Sequence, residues 1–194
     1  NAARNGKQVT VVMELQARFD EENNIFWSNK LHEEGVKVSF GVNNLKVHSK
    51  LCLITHVHEG KQVQYAIIGT GNFNENTAKV YTDIFLLTAR PEITKEVKKI
   101  FEFFDNRFEI GKYKHLMVAP LNMRAKMKQL ISREIRNAKD KKPAVLFFKL
   151  NNLVDKEIIK KLYEASNAGV KVKLIVRGIC SLVPGVEGLS ENIE

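Results

Sequence analysis

Cysteine, proline and long apolar runs are scarce in this sequence. Its 194 residues include two cysteines, Cys52 and Cys180, and four prolines. Both cysteines lie within apolar, strand-like segments, which predicts reduced, buried thiols and no disulfide framework. No segment approaches the roughly 18 apolar residues of a membrane-spanning helix, and no charged-then-apolar leader opens the chain. These absences disfavour a secreted or membrane-spanning protein and predict a cytoplasmic one.

Acidic residues are fewer than basic ones in this sequence. The chain has 31 Lys and Arg against 22 Asp and Glu, a net charge of +9. This excess favours a polyanionic partner, such as nucleic acid, anionic lipid or a phosphate-rich substrate. No nucleic-acid-binding fingerprint accompanies the charge, because the aromatic residues fall in core-like runs and do not alternate with basic ones. A merely soluble basic protein remains an open alternative.

The order of predicted elements in the first half is typical of an α/β fold. A strand over 8–15 is followed by a helix from about residue 20 to a stop at Gly35, and then by a strand over 36–40. A central hairpin precedes a helical turn over 75–80, a strand over 84–87 and a helix that opens at Pro91, whose apolar residues at helical spacing are predicted to be core. This succession predicts an α-β-α sandwich with a mixed sheet.

A polar, turn-rich segment over 105–114 is interpreted as a domain boundary. A basic helix over 122–140, a strand over 144–150, a helix over 155–167 and a strand over 170–176 follow it. The segment 168–177 resembles 3–14, since each is a helix end at a glycine followed by a strand that delivers a charged residue. If this repeat is genuine, 1–113 is one α/β domain and 114–194 is the first part of a second, similar domain.

The stretch 47–74 carries the candidate chemistry. Apolar runs on both sides of a turn at 58–61 predict two short buried strands joined as a hairpin. His48 and Lys50 are two residues apart and therefore project from the same face of the first strand. The second strand closes with flexible backbone, exposed N–H groups and a short amide, which suit a phosphate: Gly69, Thr70, Gly71 and Asn72. One surface of the hairpin would then carry a nucleophilic nitrogen, a positive charge and a phosphate-binding turn.

Each of these residues also has a structural interpretation. A lone histidine on a strand is commonly a satisfied structural residue, its lysine neighbour is commonly solvated, and Gly-Thr-Gly-Asn can be only a turn. His56 and His58 alternate as a metal pair would, but they lie at the turn without a third ligand, so solvated turn residues are the better interpretation. The combination of H-x-K with G-T-x-N around one hairpin favours phosphoryl chemistry.

These spaced motifs resemble those of the phospholipase D superfamily, whose members use one histidine from each of two tandem α/β domains on a phosphoryl centre. That superfamily carries Asp where Thr55 stands here, which disfavours a plain phospholipase or nuclease. A closer resemblance, over nearly the whole chain, is to type 1 polyphosphate kinases. The blocks that carry it are ELQARFDE (14–21), VHSK (47–50), IGTGNFN (68–74), YTD (81–83), KLNNLVD (149–155) and VRGICSL (176–182).

The resemblance implies reversible transfer of the ATP γ-phosphate to inorganic polyphosphate through a phosphohistidine at His48. Lys50 and Asn72 would assist as catalytic residues. ATP and phosphate contacts are implied at Tyr81, Arg177 and the glycine turn, Gly69, Thr70 and Gly71. A magnesium–nucleotide site is implied at Arg18, which as a cation would act through phosphate oxygens. Mg²⁺ with ATP is therefore the expected cofactor.

The same resemblance implies ATP or ADP and polyphosphate as partners, no nucleic acid, and a homo-oligomeric full-length protein that is cytoplasmic or peripheral to a membrane. A second histidine, expected near position 211 from the repeat, is not among the 194 residues. The chain by itself is accordingly expected to be inactive.

From the residues alone, several alternatives stay open. Tyr81 could pack beside an apolar strand, Arg18 could cap a helix, and Arg177 could pair with Glu14. Asp83 could orient His48 or hold a structural bond. Two other functions are a phospholipase D-like phosphodiesterase acting on lipid or nucleic acid, with the same nucleophile, and a polyanion-binding module without chemistry.

Overall fold

A computed structural model describes residues 1–14, 21–42, 44–106 and 111–194. Contacts between residues divide the chain into two compact units, Asn1–Leu116 and Met117–Glu194. The assignment of 1–113 and 114–194 to two similar catalytic domains stays a prediction.

The first unit combines a parallel and an antiparallel sheet. Its elements in chain order are β1 (Thr10–Val12), α1 (Glu21–Glu33), β2 (Lys37–Ser39), β3 (Lys50–His58), β4 (Lys61–Gly69), α2 (Glu75–Val80), β5 (Phe85–Thr88) and α3 (Pro91–Asp105). Strands β1 and β2 pair in parallel, whereas β3, β4 and β5 form an antiparallel sheet in that order. Parallel and antiparallel pairing are thus both present among the described residues, in separate sheets.

Local sequence signals account for the ends of helix α1. Glu21 and Glu22 lie in its first turn, where negative charge is favourable beside the unpaired N–H groups. The helix ends before Gly35, whose φ of +76° is accessible to glycine at little cost. Val36 N–H then donates to the carbonyl oxygen of Leu31, which closes the helix end. The predicted stop at Gly35 is confirmed.

The central hairpin differs from its prediction in length and burial. Its turn residues Glu59 and Gly60 have φ values of +50° and +73°, the left-handed pair that suits a two-residue hairpin turn. Each strand, however, has nine residues, and β3 is half-buried up to Leu53 but exposed from Ile54 onward. The prediction of two short buried strands was therefore wrong, because a strand is buried by a covering layer and not by its own apolar residues.

Helix α3 packs against β3 and β4 and supplies much of what the first unit buries. Val97 and Thr94 are almost fully buried, as is Ala66 on β4. Half-buried positions surround them, among which are the other apolar residues that helical spacing predicted as core: Ile93, Ile100, Phe101 and Phe104.

A buried carboxylate ties the segment 114–116 to helix α3. Glu96 is 6% exposed, and its oxygens accept backbone N–H groups from Lys114 at 2.6 Å, His115 at 3.0 Å and Leu116 at 2.8 Å. Burial by itself disfavours the charged form, but the three backbone donors outweigh it, so the pKa of Glu96 lies below its ordinary value. The ionised carboxylate therefore stabilises the end of the first unit.

The second unit packs two helices against a parallel strand pair. Its elements are α4 (Met123–Lys139), β6 (Val145–Leu150), α5 (Lys156–Asn167) and β7 (Lys171–Val176). Ile131, Leu162, Val170 and Val172 are almost fully buried in its core. Asp155 caps α5, since its carboxylate accepts the N–H groups of Glu157 and Ile158, each at 3.0 Å. The predicted order of helix, strand, helix and strand is confirmed.

The two cysteine thiols are less buried than predicted. Both cysteines are free, but Cys52 is only half-buried and Cys180 is exposed. Cys180 lies beyond the end of β7, in a segment that hydrogen-bonds along 150–153 but leaves the Cys180 side chain exposed. In the described part of the chain no helix is both long enough and apolar enough to cross a membrane.

We expect Glu96→Gln to lower the free energy of unfolding by about 1–3 kcal/mol, because three backbone N–H groups lose their charged, buried acceptor. The folded-state pKa lies below the ordinary value of 4.5. The carboxylate's contribution is therefore present above that value and lost as pH falls through the folded-state pKa. Urea unfolding at pH 7 and at steps below pH 4.5 measures both effects.

Glu102→Gln is the matched control, since Glu102 is an exposed carboxylate on the same helix, paired with Lys98 at 3.2 Å. Its effect should stay within about 0.5 kcal/mol. Equal losses in the two variants would contradict the role assigned to Glu96.

Candidate functional site

The candidate residues meet at one edge of the antiparallel sheet. Lys50 pairs with Gly69, and Gly69 pairs with Phe85, so the start of β3, the end of β4 and the start of β5 lie side by side. His48 precedes β3 by two residues, and Asp83 precedes β5 by two. The strand pairing, and not closeness in the chain, therefore brings the histidine, the lysine, the glycine turn and a carboxylate together.

His48 and Lys50 are in direct contact. Lys50 Nζ lies 3.1 Å from His48 Nδ1 and donates to the backbone oxygen of His48 at 2.5 Å. An ammonium group can only donate, so a neutral imidazole accepts at Nδ1. The His48 side chain is exposed, whereas Lys50 is half-buried. The ring is therefore reachable from solvent while the amine beside it is held.

The electrostatics of this pair favour a neutral imidazole. The positive charge of Lys50, then burial, then the charge of Lys46 lower the pKa of His48 below its ordinary value of 6.5. Burial lowers the pKa of Lys50, and the nearby Asp83 carboxylate opposes that effect. At neutral pH the ring thus keeps a lone pair, which is the requirement for a nitrogen nucleophile.

Two contacts fix the backbone that carries His48. Val47 N–H donates to Glu14 Oε2 at 2.9 Å, across 33 positions of the chain. Gly41 has a φ of +47°, and a Cβ there would collide with the Val47 side chain. Sequence reasoning missed this positioning role of Glu14. The available signal was its place after β1, inside a block that resembles the polyphosphate kinases.

The turn after β4 is fixed by hydrogen bonds to the start of β5. Thr70 N–H donates to the Ile84 carbonyl at 3.1 Å, and Thr70 Oγ1 accepts from Ile84 N–H at 3.1 Å. The Thr70 hydroxyl donates to Asp83 Oδ1 at 2.9 Å. The Thr70 N–H that was expected to be exposed is therefore already paired, because β5 approaches the turn closely.

Both glycines of this turn are required by space. A Cβ at Gly69 would collide with the Phe85 ring, and one at Gly71 would collide with the Asp83 carboxylate. Neither glycine is at positive φ, so the requirement is close approach and not backbone freedom. Among the contacts that the structure describes, Asp83 makes its hydrogen bond with Thr70 and not with His48. Of the two interpretations of Asp83, the structural bond is the one found.

The remaining candidate residues lie in different places. Asn72 is exposed directly after Gly71. Tyr81 is exposed at the end of α2, where its N–H donates to the Thr77 carbonyl at 3.0 Å. Arg177 is exposed after β7 in the second unit. Arg18 falls outside the described residues.

The described residues do not fit a metal site built from protein alone. Within 1–14, 21–42, 44–106 and 111–194, no group of three or more His, Cys, Asp or Glu is placed to hold an ion. Asp83, the carboxylate beside the glycine turn, is engaged with Thr70. His56 and His58 stack with ring centroids 6.0 Å apart and are both exposed, as predicted for solvated residues, but they lie at the end of strand β3 and not in the turn.

Two family models match the chain almost end to end. The model described as polyphosphate kinase C-terminal domain 1 matches residues 1–110, and the one described as polyphosphate kinase C-terminal domain 2 matches residues 116–194. The polyphosphate kinase of Vibrio vulnificus strain YJ016 is 56% identical over 194 residues, which are 100% of this chain and 28% of the relative. That of Escherichia coli strain K12 is 53% identical over 193 residues, with the same coverage.

A solved structure is also similar. The crystal structure of a polyphosphate kinase from Porphyromonas gingivalis matches with a TM-score of 0.86 and 44% sequence identity, covering 100% of this chain and 32% of that one. This match confirms the α/β class predicted from the sequence. The chain spans 28% of the length of the two curated relatives.

We expect Lys50→Met to raise the pKa of His48 toward 6.5, because Lys50 is the largest cause of its lowering. The imidazole would then be protonated at higher pH than in the wild type. NMR titration of the histidine ring resonances measures this shift. Lys61→Met, at the far end of the hairpin, is the control and should leave the His48 titration unchanged; an unmoved His48 in Lys50→Met would refute the coupling.

Proposed function

Because the chain belongs to the polyphosphate kinase family, we propose that it supplies the phosphate-accepting histidine of an enzyme that transfers the ATP γ-phosphate to inorganic polyphosphate and back. The observation that carries this proposal is the exposed His48 ring in contact with Lys50, at the sheet edge where the glycine turn also lies. Since the chain spans 28% of the length of its relatives, the activity is proposed for the full-length gene product.

The first step forms a phosphohistidine. A lone pair of the neutral His48 ring attacks the γ-phosphorus, the nitrogen–phosphorus bond forms, and the bond between that phosphorus and the bridging oxygen breaks. ADP leaves with the bond's electrons, and the ring proton passes to solvent. The lowered pKa of His48 supports this step, because a protonated ring has no lone pair to offer.

The second step transfers the phosphoryl group to polyphosphate and regenerates the free histidine. A terminal phosphate oxygen of polyphosphate attacks the phosphorus of the phosphohistidine, the new phosphorus–oxygen bond forms, and the nitrogen–phosphorus bond breaks. The ring recovers a proton from solvent, and the polyphosphate is one phosphate longer. Each step can run backward, so one imidazole serves donor and acceptor in turn.

The cations and amides around His48 stabilise the phosphoryl group. Lys50 Nζ, now bound to His48, can turn to the equatorial phosphoryl oxygens as these arrive, which also frees Nδ1. Asn72 donates its amide to a phosphate oxygen beside the turn. Tyr81 contacts the nucleotide through its ring and hydroxyl, and Arg177 through its charge.

Magnesium enters this proposal as part of the substrate. The described residues offer no three-ligand site, whereas Mg²⁺ commonly binds through substrate phosphates and keeps several waters. Arg18 would clamp the phosphate oxygens that carry the ion. We further propose that the full-length protein is a homo-oligomer of the cytoplasm or its membrane surface and that nucleic acid is not a partner.

Incubation of the full-length protein with Mg²⁺ and γ-labelled ATP tests the proposal. The wild type should retain label, and His48→Ala should lose both the label and polyphosphate synthesis by about 10³-fold or more, as for removal of a catalytic nucleophile. His32→Ala is the control, because this exposed histidine lies in α1, away from the sheet edge that carries His48.

Two results would overturn the proposed kinase function. An unlabelled wild type that hydrolyses a phosphodiester, with activity lost in His48→Ala, would indicate a phospholipase D-like phosphodiesterase. An unlabelled wild type that binds polyphosphate equally well with and without His48 would indicate a polyanion-binding module.

A further inference from the structure

Asp83 is a half-buried carboxylate close to a site expected to bind phosphate. A free carboxylate at such a place would repel the substrate. Its Oδ1, however, accepts the Thr70 hydroxyl at 2.9 Å, and the same hydroxyl oxygen accepts Ile84 N–H at 3.1 Å. Thr70 thereby links the turn after β4 to the chain before β5 through one side-chain oxygen.

The turn has a glycine, Gly71, at the position that packs against Asp83. A Cβ at Gly71 would collide with the Cβ, Cγ and Oδ2 atoms of Asp83. Gly71 is buried, whereas Thr70 and Asn72 on either side are exposed. The carboxylate is thus packed against the turn backbone at Gly71 and hydrogen-bonded to the Thr70 side chain, and both contacts constrain the position of Asn72.

The charge of Asp83 also affects the pKa of Lys50, whose amine contacts His48. Burial disfavours the charged form of Lys50, and the negative charge of Asp83 is what opposes this effect. One carboxylate therefore reaches two parts of the site, the turn through Thr70 and the ammonium through its charge.

We propose that Asp83 is a positioning residue for phosphoryl transfer, which fixes the 69–72 turn through Thr70 and Gly71 without touching the substrate. This inference rests on the proposed function. It assigns Asp83 a task that differs from orienting the His48 ring, since its hydrogen bond goes to the turn.

Isosteric variants separate the two contributions. In Thr70→Val the hydroxyl is lost at nearly constant shape, and Thr70→Ser restores it. In Asp83→Asn an acceptor for the hydroxyl remains but the charge is gone, and in Asp83→Ala both are gone. Glu75→Gln, an exposed carboxylate in α2 between Gly71 and Asp83, is the control for loss of one negative charge nearby.

The measurement is the rate of His48 labelling by γ-labelled ATP in the full-length protein, with kcat and KM determined separately. Asp83→Ala and Thr70→Val should lower kcat by about 10²-fold, the cost of a small misplacement of reacting groups, with a smaller change in KM. Thr70→Ser should recover most of the rate that Thr70→Val loses, and Glu75→Gln should stay within about twofold of the wild type. Asp83→Asn should lower the rate less than Asp83→Ala.

A pH profile gives a readout that a merely structural role would not move. Lys50 Nζ contacts His48 Nδ1, and the charge of Asp83 opposes the lowering of the pKa of Lys50. Removing that charge in Asp83→Asn should move the alkaline limb of the labelling rate to lower pH, whereas Thr70→Ser should leave it in place.

A double-mutant cycle tests the packing contact. Gly71→Ala should reduce labelling in the wild-type background and cost less in Asp83→Ala, where the contacts with Cγ and Oδ2 are gone and only the contact with the Cβ remains. Wild-type rates in both Thr70→Val and Asp83→Asn, with a labelled wild type, would overturn this inference and leave the proposed function standing. A wild type that takes no label would overturn both. If Asp83→Ala does not fold, the labelling rates of Thr70→Val, Thr70→Ser and Asp83→Asn still test the inference.

Discussion

The pairing register of β3, β4 and β5 is the constraint on which the candidate site depends. Lys50, Gly69 and Phe85 lie in one row across the sheet. Because side chains alternate along a strand, a slip of one residue would turn Lys50 to the opposite face and carry the glycine turn away from His48. The Glu59–Gly60 turn sets this register from the far end of the hairpin. Phe85 over Gly69 and Asp83 over Gly71 then reinforce it where the site lies.

Opposing electrostatic effects meet at Lys50. Partial burial disfavours its charge, Asp83 supports that charge, and the charge in turn lowers the pKa of His48. The combination leaves a charged lysine beside a neutral imidazole at neutral pH. A phosphate acceptor needs this arrangement, since one group must offer a lone pair while its neighbour neutralises the oxygens of the arriving phosphoryl group. In the described structure the same ammonium lies 3.1 Å from Nδ1 of the imidazole.

Each unit is also held by carboxylates that accept backbone N–H groups. Glu14 accepts the N–H of Val47 beside His48, Glu96 accepts the N–H groups of 114–116 at the end of the first unit, and Asp155 caps α5 in the second. For Glu96 and Asp155 these backbone N–H groups stabilise the charged form, and the pKa of each lies below its ordinary value. Lysine and arginine are in excess in this chain, yet its acidic residues carry much of the positioning of backbone. Net charge therefore indicates the class of partner and says little about which residues organise the site.

The sequence by itself determined the α/β class, the bounds of α1, α2 and α4 to within a few residues, the hairpin turn and the proximity of His48 to Lys50, although His48 lies before β3 and not on it. Caps, glycine stops and two-residue spacing act over a few residues, so they are readable without a fold. Only the tertiary structure decided the exposure of the outer hairpin and of Cys180, the contact of Glu14 with Val47, and the choice of Thr70 as the partner of Asp83. These depend on which layer covers a strand and on hydrogen bonds between residues distant in the chain, and no local pattern encodes either.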